Sequence, residues 1–128
     1  VVRPGADLTL FAYGPMVRTC LDAAAAASAE GRDLEVVDLR SLAPLDDATL
    51  EASVRRTGRA IVVHEASRTG GIGAEVAARI QERCFYWLEA PVVRVTGYDL
   101  PYPPSKVAGD FLPALDRLLD AVDRAMAH

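Results

Sequence analysis

The chain has few of the residues on which several classes of protein depend. Only one of its 14 basic residues is a lysine, and 18 acidic residues bring the net charge to -4. A nucleic-acid surface is therefore disfavoured, because phosphate binding needs clustered Lys and Arg. Cys20 and Cys84 lack CxxC spacing and are interpreted as reduced packing residues of a cytoplasmic protein. No apolar run approaches the ~20 residues that span a membrane, and no signal peptide is recognisable.

What the chain does contain is a regular alternation of apolar runs and helical periodicity. Its 128 residues suggest one domain over 1–128, with 51% apolar and 25% charged residues. Four apolar runs are predicted as buried strands: 7–13, 34–39, 60–64 and 91–96. Between and after them, periodic segments predict four helices: from Pro15 to Gly31, from Asp46 or Asp47 to Gly58, from Ile72 to Cys84, and from Leu112 to Met126. Crossovers of this length pair strands in parallel, so the prediction is a three-layer α/β/α domain of four or five strands.

A glycine loop separates the third predicted strand from the third predicted helix. The stretch VVHEASRTGGIGAE, residues 62–75, places Gly70, Gly71 and Gly73 where main-chain N–H groups commonly bind anions. It starts like the dinucleotide fingerprint, but the last glycine is missing and the loop follows the third strand rather than the first. The GK[ST] of a P-loop is missing as well. A structural turn is favoured over an anion site.

His64 and Glu65 stand at the end of the third predicted strand, where α/β folds place ligands. Such a pair can transfer protons, but neighbouring strand residues point to opposite faces of a sheet and do not easily act on one atom. The only other histidine is His128. An interdomain or supporting role is favoured over a catalytic one, because a catalytic group needs a partner in the right geometry.

Three further groups are weaker candidates. Ser67, Arg68 and Thr69 suit a phosphate, although a hydrated loop explains them better. Glu82, Glu89 and the carboxylate at His128 indicate an acidic patch for a basic partner segment, with scattered solvated charge as the alternative. Aromatic residues among prolines either form a rigid partner surface or pack under the last helix. These are Trp87, Tyr98, Pro101, Tyr102, Pro103 and Pro104.

Three stretches carry a resemblance to a known family: DLRSLAPLD (38–46), HEASRTGGIGAE (64–75) and CFYWLEAPVVRVTGYDLPYP (84–103). In this order, over nearly the whole chain, they resemble the C-terminal domain of the β subunit of E1 components. These thiamine-diphosphate enzymes open the 2-oxoacid dehydrogenase complexes. The form GYDLPYP is similar to the branched-chain type more than to the pyruvate type.

The resemblance implies a transketolase C-terminal fold, with a five-stranded, mixed and mostly parallel sheet that has one antiparallel edge strand. It also implies a β subunit whose pyrimidine-binding domain is absent from residues 1–128. In the α2β2 enzyme the α subunit would hold the diphosphate of thiamine diphosphate and its Mg. No catalytic, cofactor or metal residue is therefore assigned to this chain, and the chain alone is expected to be inactive.

An assembly role is implied as well. In such enzymes two β C-terminal domains meet near the twofold axis and receive the small, basic subunit-binding domain of E2, the acyltransferase. Glu89, in LEAP, matches the family position expected to contact that partner, helped by the chain-terminal carboxylate if the subunit ends at His128. His64 and Glu65 would then face other domains.

Two other functions stay open on the sequence alone. One is a stand-alone anion- or nucleotide-binding module that uses the 70–75 loop. The other is the C-terminal domain of a single-chain transketolase or deoxyxylulose-phosphate synthase. GYDLPYP argues against the second, because those relatives resemble this chain only in fold.

Overall fold

The computed structural model describes residues 1–40, 44–67, 71–97 and 115–128, which alternate between strands and helices. The strands are β1 (Leu8–Ala12), β2 (Leu34–Asp38), β3 (Ala60–Ser67) and β4 (Val93–Gly97). The helices are α1 (Met16–Ser28), α2 (Asp47–Thr57), α3 (Ile72–Cys84) and α4 (Leu115–Met126), with a 3-10 helix at Phe85–Trp87. Within these ranges no helix has the length and apolarity needed to cross a membrane.

The four strands form one parallel sheet in the order β2-β1-β3-β4. This confirms the predicted α/β class and the parallel pairing, but the described residues contain four strands rather than five. Within the described residues, antiparallel pairing is limited to a bridge between Arg3 and Val36 of β2.

Side chains of the sheet alternate between two apolar cores, which explains why β1 is buried along its whole length. Leu8, Leu10 and Ala12 face α1 and α4, whereas Phe11 lies on the opposite face with α2 and α3. The two cysteines are free and buried, Cys20 in the first core and Cys84 in the second. Their interpretation as packing residues is therefore confirmed, and the intervening sheet prevents a disulfide between them.

Helix α2 begins and ends at the predicted residues. Asp46 is its N-cap, and the carboxylate accepts a hydrogen bond from the Thr49 N–H at 3.1 Å and another from the Thr49 hydroxyl. These bonds hold the pKa of Asp46 below its usual value, the bond from the hydroxyl contributing most. Gly58 ends the helix with a φ of +72°, a left-handed conformation that favours glycine.

The last helix is confirmed from Leu115 onward, while Leu112 lies outside the described residues. Leu118 and Val122 are buried against the sheet, although Leu115 is exposed. On the solvent side Asp120 and Arg124 form the predicted ion pair, with a nitrogen–oxygen distance of 3.2 Å.

Candidate functional site

The carboxyl ends of β1 and β3 lie side by side at the centre of the sheet. The chain passes from β2 across β1 to β3, so the strand order reverses here, at the position where α/β sheets have a crevice. Ala12 pairs with Val63, and the next residues of the two strands, Tyr13 and His64, project to the same face. Their rings stack with centroids 6.2 Å apart and planes inclined by 27°.

The first turn of α3 packs directly on the imidazole of His64. This side chain is fully buried, and a Cβ added to Gly73 would lie 2.4 Å from Nε2 and 2.7 Å from Cδ2 of His64. Non-bonded heavy atoms do not normally approach so closely, so residue 73 must be glycine for the helix to sit here. The geometry supports the interpretation of the glycine loop as a turn that brings a helix close to the sheet.

Tyr13 and Glu65 are the other polar groups near His64, at the carboxyl ends of β1 and β3. Burial raises the pKa of the Tyr13 hydroxyl above its usual value, and the negative charge of Glu65 raises it further. Helix α3 covers His64, so a ligand in solvent does not contact the imidazole. The arrangement therefore suits a supporting role, in which the ring fixes the start of α3, better than direct proton transfer to a substrate.

Tyr13 was missed by sequence reasoning, because its partner is 51 residues away and strand order is not readable from periodicity. Of the three residues predicted to suit a phosphate, Ser67 ends β3, whereas Arg68 and Thr69 lie outside the described residues. Gly70 also lies outside them. Gly71 is the N-cap of α3, in an extended conformation.

The two residues predicted to contact a partner, Glu89 and His128, are brought together by Arg59. The Arg59 Nη1 donates to Oε2 of Glu89 at 2.6 Å, Nη2 to the main-chain oxygen of His128 at 2.8 Å, and Nε to the Ala125 carbonyl at 3.1 Å. We call Arg59, Glu89, Ala125 and His128 the Arg59 cluster. It joins the chain between α2 and β3, the segment after the 3-10 helix, and the end of α4.

Main-chain packing also holds Glu89 in place. Its N–H donates to the Gly58 carbonyl at 2.8 Å, and a Cβ on Gly58 would lie 3.2 Å from Cγ and Cδ of Glu89. The Glu89 side chain is nevertheless 62% exposed, whereas that of Arg59 is only 15% exposed. The carboxylate thus faces solvent while its counter-ion lies mostly beneath the surface.

The surface around Glu82 and Glu89 carries charges of both signs. Both glutamates are exposed, but Arg59 pairs with Glu89, and Arg83, next to Glu82, pairs with Asp47 at 3.4 Å. A purely acidic patch is therefore not what the described residues form. The carboxylate of Glu89 stands out by its position in the Arg59 cluster rather than by local net charge.

Trp87 is the one member of the predicted aromatic and proline group that lies within the described residues. It is 44% exposed, and the Arg55 guanidinium stacks 4.3 Å from the centroid of its ring. Phe85 and Tyr86, its neighbours in the 3-10 helix, are 52% and 95% exposed. Trp87 thus lies at the surface beside α2 and is not packed under the last helix.

A buried polar network at the opposite, amino end of the strands was missed as well. Glu35 is 1% exposed, accepts a hydrogen bond from the Thr9 hydroxyl at 3.0 Å and pairs with Arg56. The hydroxyl oxygens of Thr9 and Thr57 are 2.8 Å apart. A charged residue inside the apolar run LEVVDL was the available signal, because a buried carboxylate requires partners.

The described residues contain no group of three or more His, Cys, Asp or Glu side chains placed to hold a metal ion together.

Comparisons with known proteins agree with the α/β fold described above. Residues 1–118 match the family "Transketolase, C-terminal domain". The pyruvate dehydrogenase E1 component subunit beta of Leifsonia xyli subsp. xyli is 52% identical over 128 residues, which is 100% of this chain and 38% of that protein. The 3-methyl-2-oxobutanoate dehydrogenase subunit beta of Mycobacterium tuberculosis is 53% identical over 127 residues, 98% of this chain and 36% of that protein.

Among solved structures, one described as "Split gene transketolase, inactive beta4 tetramer" has a TM-score of 0.86 and 32% identity. The match covers 99% of this chain and 40% of that one. The chain thus spans less than two-fifths of the length of the two curated relatives.

Proposed function

We propose that this chain, which belongs to the family of transketolase C-terminal domains, is the C-terminal domain of the β subunit of a 2-oxoacid dehydrogenase E1 component. The observation that carries the proposal is an identity of 52% and 53% to two such β subunits over nearly the whole chain. One of these relatives is named for pyruvate and the other for a branched-chain 2-oxoacid. The form GYDLPYP favours the branched-chain type.

In this proposal the complete enzyme is cytoplasmic. It decarboxylates a branched-chain 2-oxoacid, or pyruvate, and transfers the resulting acyl group to the lipoyl group of E2. Thiamine diphosphate and Mg would be held by the α subunit and by the pyrimidine-binding domain of β. The position of His64 supports this division, because an imidazole buried under Gly73 does not reach a cofactor from the surface of the domain. His64 and Glu65 would then support the edge that faces neighbouring domains.

Residues 1–128 would serve assembly: contact with the α subunit, pairing with a second β subunit and docking of the basic subunit-binding domain of E2. Glu89 and His128 are proposed as docking residues. Their proximity through Arg59 and the exposure of the Glu89 carboxylate support this. Two shallow hollows, of about 370 and 340 Å³, flank the Arg59 cluster and share Pro91.

The test is Glu89→Gln in the full-length β subunit, assembled with its α subunit. The matched control is Glu30→Gln, which removes the same charge from an exposed residue just beyond α1. We expect Glu89→Gln to weaken binding of the E2 subunit-binding domain and to reduce its salt dependence, because an interface charge acts on both. Equal affinity of the two variants would remove Glu89 from the docking site.

The anion-module alternative loses support from the structure, because contact with His64 accounts for Gly73 without a ligand. Calorimetric titration of the chain with nucleotides and inorganic phosphate decides between the two functions. The E1 proposal expects no heat of binding and no thiamine-dependent decarboxylation by residues 1–128 alone.

A further inference from the structure

Arg59 donates to three acceptors that come from two separate parts of the chain, the segment of Glu89 and the end of α4. Its position directly after the helix-ending Gly58 places the side chain between the segment of Glu89 and the last turn of α4. Two of the acceptors are main-chain oxygens, those of Ala125 and His128, and the third is the Glu89 carboxylate. All three donor–acceptor distances lie between 2.6 and 3.1 Å.

We infer that Arg59 is the positioning residue of the docking site, holding the Glu89 carboxylate and the end of α4 in one arrangement ready to receive a cationic side chain. The inference rests on the docking role of Glu89 proposed above. A carboxylate offers about four lone-pair sites, so the bond from Arg59 does not exhaust it. The mostly buried guanidinium thus orients Glu89 from below while the exposed side of the carboxylate meets the partner.

Arg59 reduces the conformational freedom of the Glu89 side chain before the partner binds. The Glu89 main chain is already fixed by its bond to Gly58, so rotation of the side chain is the freedom that Arg59 removes. Immobilising such a side chain otherwise opposes association, and a preorganised group avoids that cost. Lysine has a similar charge but no planar fork, so it cannot bond to three separated acceptors in this way.

The experiment uses the assembled enzyme with full-length β subunit and compares Arg59→Lys, Glu89→Gln and Glu30→Gln. Binding of the isolated E2 subunit-binding domain is followed by surface plasmon resonance at several salt concentrations. Arg59→Lys preserves the charge but not the bonding pattern, and we expect a loss of affinity of about 2- to 10-fold, the scale of immobilising one such side chain on binding. The loss should be mainly in the dissociation rate, with the salt dependence unchanged. In the Glu89→Gln background, Arg59→Lys should cost less than in the wild type.

The outcomes separate the two ideas. Wild-type affinity in Arg59→Lys, with weakened binding in Glu89→Gln, overturns the positioning role and leaves the docking site standing. Wild-type affinity in Glu89→Gln overturns the docking site itself. If Arg59→Lys does not assemble, a structure of the wild-type complex decides. Arg59 must still donate to Glu89 while a cation of E2 contacts the same carboxylate, and a Glu89 turned away from Arg59 overturns the inference.

Discussion

Replacing Gly73 with alanine tests the close contact between the start of α3 and His64 of β3. The added Cβ would lie 2.4 Å from Nε2 of His64, about 1 Å inside ordinary van der Waals contact. His64 is fully buried and stacked on Tyr13, so the ring has no solvent into which to move, and either it or α3 must shift. Overpacking of this kind costs about 1–3 kcal/mol, while the better helix propensity of alanine returns at most about 1 kcal/mol.

We therefore expect Gly73→Ala to lower the free energy of unfolding by about 1–2 kcal/mol, measured by urea denaturation followed by circular dichroism. The control is the same substitution in a His64→Ala background, where the ring is gone. There Gly73→Ala should be neutral or stabilising, which a double-mutant cycle detects. An equal loss of stability in both backgrounds would refute the clash as the cause.

Two further predictions concern titratable groups. Burial raises the pKa of the Cys20 thiol to about 12, so at pH 8 the native chain should not react with a thiol reagent such as DTNB at this position, but should react in urea; rapid native labelling would contradict the packing. Asp46 has a pKa lowered by Thr49. Its contribution to stability is therefore complete above its unfolded pKa of about 3.9 and is lost as the pH falls through the lower folded value. Asp46→Asn should flatten the stability profile below about pH 4, and an unchanged profile would contradict the lowered pKa of Asp46.

The features that sequence reasoning predicted correctly depend on local signals. Asp46 caps α2 because a short acidic side chain can reach the N–H groups of the first turn. Gly58 ends the same helix because its φ of +72° suits glycine. The apolar residues of α3 recur every four positions, and Val76, Ile80 and Cys84 are accordingly buried. Each of these inferences needed only a few neighbouring residues.

The features it missed depend on residues far apart in the chain. Tyr13 meets His64 only because β1 and β3 are neighbours in register. Arg59 had no local sign of its role, since its acceptors are 30 to 69 residues further along the chain. The resemblance implied five strands, whereas the described residues contain four, with one antiparallel bridge between Arg3 and Val36.

The central claim, that residues 1–128 are one domain of an E1 β subunit, is tested most directly by the mass of the native polypeptide that carries them. It should be isolated from its source cells together with whatever copurifies. The account predicts a polypeptide more than twice as long as these 128 residues, copurifying with a second, α-type subunit. A native polypeptide of about 128 residues with no such partner would contradict it.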